Sequence, residues 1–229
     1  MNMDRVVFLF DVDNTLLDND RVSADLKRFL TKEVGEERQR QYWEIFEELR
    51  NELGYADYLG ALQRYRVDHP REPHLLEVSS YLINYPFSNR LFPGSLDALE
   101  HVGAFGPTVI LSDGDVVFQP LKIHRSGLYE AVDGRVLIYI HKENELDDVE
   151  LRHPAAHYVL VDDKVRILAA VKERWGSRLT TVFPRQGHYA HAPDAARHPA
   201  PDVTIERIAD LTSYDMPALL DAARRKGTR

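Results

Sequence analysis

The chain has 229 residues, 44% hydrophobic and 29% charged, with neither Gly nor Pro in excess. At roughly 100–200 residues per domain, that length and composition predict one folded body of at most two parts and exclude a disordered chain. A formal net charge of −8 argues against binding a nucleic-acid backbone, and the lack of cysteine excludes disulfides, thiolate catalysis and Cys-ligated zinc.

The N-terminal stretch MNMDRVVFLF has five consecutive apolar residues after Arg5. That is too few for a signal-peptide core or a membrane span, so a cytoplasmic protein with no membrane partner is expected. Those residues, VVFLF at 6–10, form the first predicted strand, and four acidic side chains follow within FDVDNTLLDND. An unbroken apolar run suits a strand covered on both faces, as in a parallel sheet.

Residues 16–92 contain no comparable β run, but ERQRQYWEIFEELRNEL at 37–53 and LLEVSSYLI at 75–83 have helical spacing of apolar positions. HPREPH at 69–74 and NYPFSNRLFPG at 84–94 carry the turn formers of linkers. Next comes a predicted helix, SLDALEHV at 95–102, with Ser95 as a candidate N-cap. Strand PTVIL (107–111), helix VVFQPLKIHRS (116–126) and strand RVLIYI (135–140) follow in turn. Then come strand HYVLV (157–161), helix KVRILAAVKERW (164–175), strand LTTVF (179–183) and a weaker DVTI at 202–205. This alternation predicts a doubly wound α/β fold. Residues 11–106 separate the first two strands, far more than a βαβ crossover requires. The expected organisation is an α/β core of residues 1–15 and 93–229, interrupted by a helical insertion at 16–92.

In open parallel sheets, ligands bind beyond the carboxyl ends of the strands. There the sequence places Asp11, Asp13, Asn14 and Thr15 after the first strand, and Ser112, Asp113, Gly114 and Asp115 after the second. His141 and Lys142 follow the third, and Asp162, Asp163 and Lys164 the fourth. Carboxylates crowded at one edge repel each other unless a cation sits among them. An oxygen-only donor set suits a hard ion such as Mg²⁺, which would also let an anionic phosphate approach Asp11, with Ser112 and Lys142 holding its oxygens.

The layout resembles the haloacid dehalogenase superfamily, whose core is a Rossmann-like parallel sheet. Its Asp-x-Asp-x-Thr motif is met by Asp11, Asp13 and Thr15, its Ser/Thr motif by Ser112, its lysine by Lys142 and its acidic pair by Asp162 and Asp163. The insertion falls where the family places a helical C1 cap. Three positions depart from the pattern: Asp113 replaces the usual Asn, Glu143 the frequent Pro, and Lys164 directly follows the acidic pair. Lys122 is a rival to Lys142.

The resemblance implies a phosphomonoesterase acting on a small phosphorylated metabolite, as a monomer or homodimer. Asp11 would be the nucleophile and form an aspartyl-phosphate. Asp13 would protonate the leaving group and then activate water. Asn14, Thr15, Ser112, Asp113, Gly114 and Lys142 would surround the phosphate. Mg²⁺ would be held by Asp11, the Asp13 carbonyl and one of Asp162 and Asp163, with Asp163 favoured because it aligns with the acid of the family's Gly-Asp form. Rival readings are phosphotransfer as in the family's mutases, 2-haloacid dehalogenation, which needs neither metal nor an acid at 13, and non-catalytic binding of a phosphorylated ligand.

Blander roles compete for single residues. Aspartates and Asn14 suit turns, Ser112 suits a cap, and Asp162 and Asp163 suit a helix start. Pro154 argues against His153 and His157 as a metal pair, whereas His188 and His191 lie in a loop that could reach the site. Tyr42, Trp43 and Phe46 read as the insertion's core, and Arg38, Arg40 and Arg50 as its solvated face.

Overall fold

The structure is a computed structural model describing residues 6–191 and 197–226. Residues 1–5, part of the leader reading, lie outside it. Six strands form a parallel sheet: β1 (Val6–Phe10), β2 (Thr108–Asp113), β3 (Val136–Tyr139), β4 (His157–Val161), β5 (Leu179–Pro184) and β6 (Val203–Ile205). Their order is β3-β2-β1-β4-β5-β6. β1 pairs with β2 through Phe8–Phe10 against Thr108–Ile110, and with β4 through Val6–Phe10 against His157–Val161.

Side chains alternate across a strand, so β1 feeds two cores. Phe8 and Phe10 pack on one face with α5 (Ser95–Gly103), α6 (Phe118–Ser126), α7 (Leu128–Ala131) and α10 (Met216–Lys226). Val7 and Leu9 pack on the other with α8 (Leu146–Arg152) and α9 (Val165–Trp175). Apolar burial on both faces explains the unbroken run, and truncating a buried residue such as Leu9 to Ala costs about 2–5 kcal/mol. The fold is α/β with a Rossmann-like parallel core and a helical cap. The chain order reverses between β1 and β4, so the switch point that forms a binding crevice lies at their carboxyl ends.

Four helices lie between β1 and α5: α1 (Asn19–Val34), α2 (Glu36–Leu53), α3 (Tyr58–Asp68) and α4 (Leu75–Asn84). Asp18 caps α1 by accepting from the Arg21 amide at 2.9 Å, and Asp57 caps α3 by accepting from the Gly60 amide at 2.7 Å. Gly54, at φ +81°, ends α2 in the left-handed conformation that favours glycine. Tyr42, Phe46, Tyr58 and Tyr65 are buried together, and Tyr58 meets Phe118 of α6 with ring centroids 5.2 Å apart, joining the helices to the sheet's core.

The two chain crossings are tied to each other. Phe92 N–H donates to Leu16 O at 2.9 Å, and Asp18 N–H to Arg90 O at 2.8 Å. Ser95 is not the N-cap of α5. Gly94 takes that position, its carbonyl accepting from Ala98 N–H at 2.8 Å, while the Ser95 hydroxyl donates to Leu16 O at 2.7 Å. Among the described residues, no helix is long and apolar enough to cross a membrane.

Candidate active site

Beyond β1 the chain turns sharply: the Val12 carbonyl accepts from the amides of Leu16 and Leu17, both at 2.9 Å, and Asn14 adopts φ +59°. Asn tolerates this conformation better than most residues. Its side chain then fastens α1, accepting from the amides of Asn19 at 3.0 Å and Asp20 at 3.1 Å. Thr15 links two acids, its hydroxyl donating to Asp11 Oδ2 at 3.3 Å and accepting from Asp163 N–H at 3.0 Å.

Lys142 reaches Asp11 from the loop after β3. Its Nζ lies 2.5 Å from Asp11 Oδ1, 2.7 Å from Asp162 Oδ2 and 3.2 Å from the Leu111 carbonyl. Burial alone would lower its pKa, but Asp11, Asp162 and Asp113 hold it well above the usual lysine range, so the ammonium persists. Asp113 fixes this loop by accepting from Lys142 N–H at 2.7 Å, and burial raises its own pKa. Ser112 is buried and accepts from Gln119 Nε2 at 2.8 Å. Gly114 donates its amide to Tyr139 O at 3.0 Å, and a Cβ there would sit 2.7 Å from Gln119.

Two further acids, Asp162 and Asp163, directly follow β4. Asp162 is occupied by Lys142 and by Lys164 N–H, which donates to its Oδ1 at 2.8 Å. Asp163 is different: both carboxylate oxygens are buried without a hydrogen-bond partner. Burial, then the charges of Asp11 and Asp162, drives its pKa well above the usual carboxylate range. Burial opposes the charge on Lys164 too, yet Asp11 and Asp163 hold its pKa above normal. One ligand atom from each of Asp11, Asp162 and Asp163 fits within a 4.8 Å spread. Buried polar atoms normally find partners, so an orphaned carboxylate beside two others fits a hard divalent cation.

A solved structure of a haloacid dehalogenase-like hydrolase from Burkholderia xenovorans LB400 is 66% identical, with 92% of this chain and 98% of that one covered and a TM-score of 0.88. The chain belongs to the haloacid dehalogenase-like hydrolases. The HAD-hydrolase YfnB of Bacillus subtilis, solved with magnesium bound, is 16% identical at TM-score 0.62, covering 91% of this chain and 97% of its own. The L-2-haloacid dehalogenase of Xanthobacter autotrophicus, with chloropropionic acid covalently bound, is 17% identical at TM-score 0.61, covering 90% and 96%. These two share the fold. No protein-family model and no curated protein matches the chain.

In this haloacid dehalogenase-like hydrolase a cavity of about 290 Å³ opens between the inserted helices and the sheet edge, lined by Asp13, Asp113 and Lys164 below and by Trp43, Arg50 and Tyr58 above. A wider recess of about 780 Å³ along α9 holds none of the strand-end acids. Arg50 is not simply on the solvated face, because its guanidinium reaches the Tyr189 hydroxyl across the cavity. His188 pairs with Asp20 at 2.6 Å and, with Tyr189, lines the cavity from the loop after β5. That loop lies close because Gly187, at φ +68°, leaves room where a Cβ would sit 2.6 Å from Asn14. The His191 side chain lies outside the described residues. Elsewhere His157 meets Thr180 Oγ1 at 2.9 Å, a contact between neighbouring strands. Lys122, the rival lysine, contacts Asp13 instead of Asp11.

Proposed function

We propose that the protein is a divalent-metal-dependent phosphomonoesterase acting on a small phosphorylated metabolite, with Mg²⁺ as the expected metal. The observation that carries this reading is the orphaned, buried carboxylate of Asp163 beside Asp11 and Asp162. A cation there accounts for an arrangement that is otherwise unfavourable. Asp11 and Asp163 would hold it, with the Asp13 carbonyl. When bound, it neutralises charge on the phosphoryl group and screens it from the acids.

The chain's own residues then divide the work. Asp11 attacks phosphorus, forming an aspartyl-phosphate as the bond to the leaving oxygen breaks. Asp13, in its acid form, gives that oxygen its proton, and the resulting carboxylate next takes a proton from the water that hydrolyses the intermediate. Lys142 orients Asp11 and pairs with the phosphoryl oxygens alongside Ser112. The inserted helices form the roof that limits the substrate's size and excludes bulk water.

Dehalogenation of a 2-haloacid is the rival reading, raised by the chloropropionic acid bound to the Xanthobacter neighbour. It uses an aspartate nucleophile but leaves Asp13 and Asp163 without a task. Phosphate release from a panel of phosphomonoesters, with and without Mg²⁺, is measured beside chloride release from L-2-chloropropionate. Mg²⁺-dependent phosphate release, abolished in Asp11→Asn, is expected. Metal-independent chloride release without phosphate release would replace the phosphatase reading with the dehalogenase one. Transfer to an added sugar alcohol in preference to water would make the protein a phosphotransferase.

A further inference from the structure

Lys122 has no task in the scheme above, yet it is 1% exposed. A lysine is rarely buried so completely without a partner that compensates its desolvation. Its partner is Asp13: Lys122 Nζ lies 2.6 Å from Asp13 Oδ1 and donates to Asn19 Oδ1 at 3.2 Å. One turn earlier on α6, Gln119 Nε2 lies 3.5 Å from Asp13 Oδ2 while donating to Ser112. Asn19 opens α1 and donates to the Tyr58 hydroxyl of α3 at 3.4 Å, and that hydroxyl lies 2.8 Å from Ser23 Oγ. A polar chain thus runs from the Asp13 carboxyl through Lys122 to two helices of the roof.

We propose that Lys122 is a positioning residue that holds the Asp13 carboxyl on the leaving-group side and couples its placement to the seating of α1 and α3. The inference rests on the phosphatase reading. As Asp13 releases its proton to the departing oxygen, the charge that develops on the carboxylate meets an ammonium already in place. Without Lys122, Asp13 keeps its chemistry but loses its direction.

Leaving-group dependence tests this. Nitrophenolate departs without a proton, whereas an alkoxide requires one, so only the alkyl substrate depends on where Asp13 points. Lys122→Met and Lys122→Arg are compared with wild type on p-nitrophenyl phosphate and glycerol 2-phosphate with Mg²⁺. The comparison uses kcat/KM, which reports the first phosphoryl transfer. Methionine keeps an unbranched apolar chain where Lys122 Nζ lies 5.7 Å from the Phe118 ring centroid, and Asp13 is 24% exposed, so its carboxylate keeps water as a partner.

In Lys122→Met, kcat/KM for the alkyl phosphate should fall by about 100-fold and that for p-nitrophenyl phosphate by less than about 5-fold, with partial recovery in Lys122→Arg. Equal losses on both substrates, or none, would overturn the positioning role while leaving the phosphatase reading intact. Wild type that hydrolyses neither these substrates nor any of a broad phosphomonoester panel would remove that reading and this inference together. A melting temperature for Lys122→Met within a few degrees of wild type is also expected. Collapse of the fold in that variant, with no leaving-group discrimination in Lys122→Arg, would make the lysine structural.

Discussion

Asp25, at the base of the inserted helices, is 7% exposed and is met by Arg90 at 2.6 Å, by the Tyr85 hydroxyl and by Arg28. Asp163, at the edge of the sheet, is fully buried, and neither of its oxygens has a hydrogen-bond partner. Burial works to raise the pKa at both, but at Asp25 the Tyr85 and Arg90 hydrogen bonds outweigh it and hold the group below the usual carboxylate range, whereas at Asp163 two neighbouring acids add to it. The first setting ties α1 to the segment that leads from α4 back to the core. The second stores unfavourable electrostatics that a bound cation would relieve, and on the proposed function that contrast is the one between a carboxylate kept for structure and one kept for chemistry.

The largest effect is expected at Asp11. Asp11→Asn should reduce turnover by at least about 10³-fold, measured as phosphate release. Its fold should persist, because Lys142 keeps Asp162 as a partner at 2.7 Å.

Asp163→Asn sharpens the contrast itself. Activity should fall by about 100-fold, and the rise in melting temperature expected of wild type on adding Mg²⁺ should be absent. Without metal, the variant should be more stable than wild type by about 1–2 kcal/mol at pH 8, since it removes a buried, unanswered charge. The raised pKa sets the sign: folding disfavours ionised Asp163, so the gain grows as pH rises above the ordinary carboxylate range. Equal stability in urea at pH 8, with Mg²⁺ stabilisation retained, would break the comparison.

At Asp25 the signs reverse. Asp25→Asn should lower stability by about 1–3 kcal/mol at pH 7 and leave kcat within about 2-fold. Its depressed pKa means that this contribution is present above the unfolded value of 3.8 and is lost as pH falls through the folded one. Urea melts of wild type and variant should therefore begin to converge as pH falls below 3.8 and meet only once it is below the depressed folded value.

Asp25 also explains part of what the sequence concealed. All six strands were legible: β1, β2, β4 and β5 as continuous apolar runs buried on both faces, and the edge strands β3 and β6 as apolar runs that are only partly buried, while α2, α4, α5, α6 and α9 showed helical spacing. In α1 the buried stripe runs Val22, Asp25, Leu26, Leu30, so a charged residue interrupts it, and in α3 it depends on Tyr58, Ala61 and Tyr65, two of them polar-tipped. The strand-end groups were legible because a strand carries its last residues to a known edge, and the structure brings Asp11, Lys142, Asp162 and Asp163 together there. The Lys122–Asp13 contact was not, since it depends on how α6 packs across more than a hundred residues of chain. Arg50 read as a wet residue because nothing local to α2 reveals that Tyr189 reaches it from the loop after β5.

That bridge carries the smallest expected effect. Arg50 is 33% exposed and joins Glu47 at 3.5 Å and Tyr189 of the opposite wall, so it belongs neither to the satisfied base of the insertion nor to the acid cluster. A partly solvated cation contributes little to stability, and Arg50→Ala should change it by less than about 0.5 kcal/mol. On the phosphatase reading its position over the cavity would make it a contact for the part of the substrate that does not react, so KM should rise about 3–10-fold with kcat within about 2-fold. A fall in kcat at unchanged KM would instead place Arg50 in the chemical step, and the boundary between a roof that selects and a sheet edge that reacts would then have to move to include it.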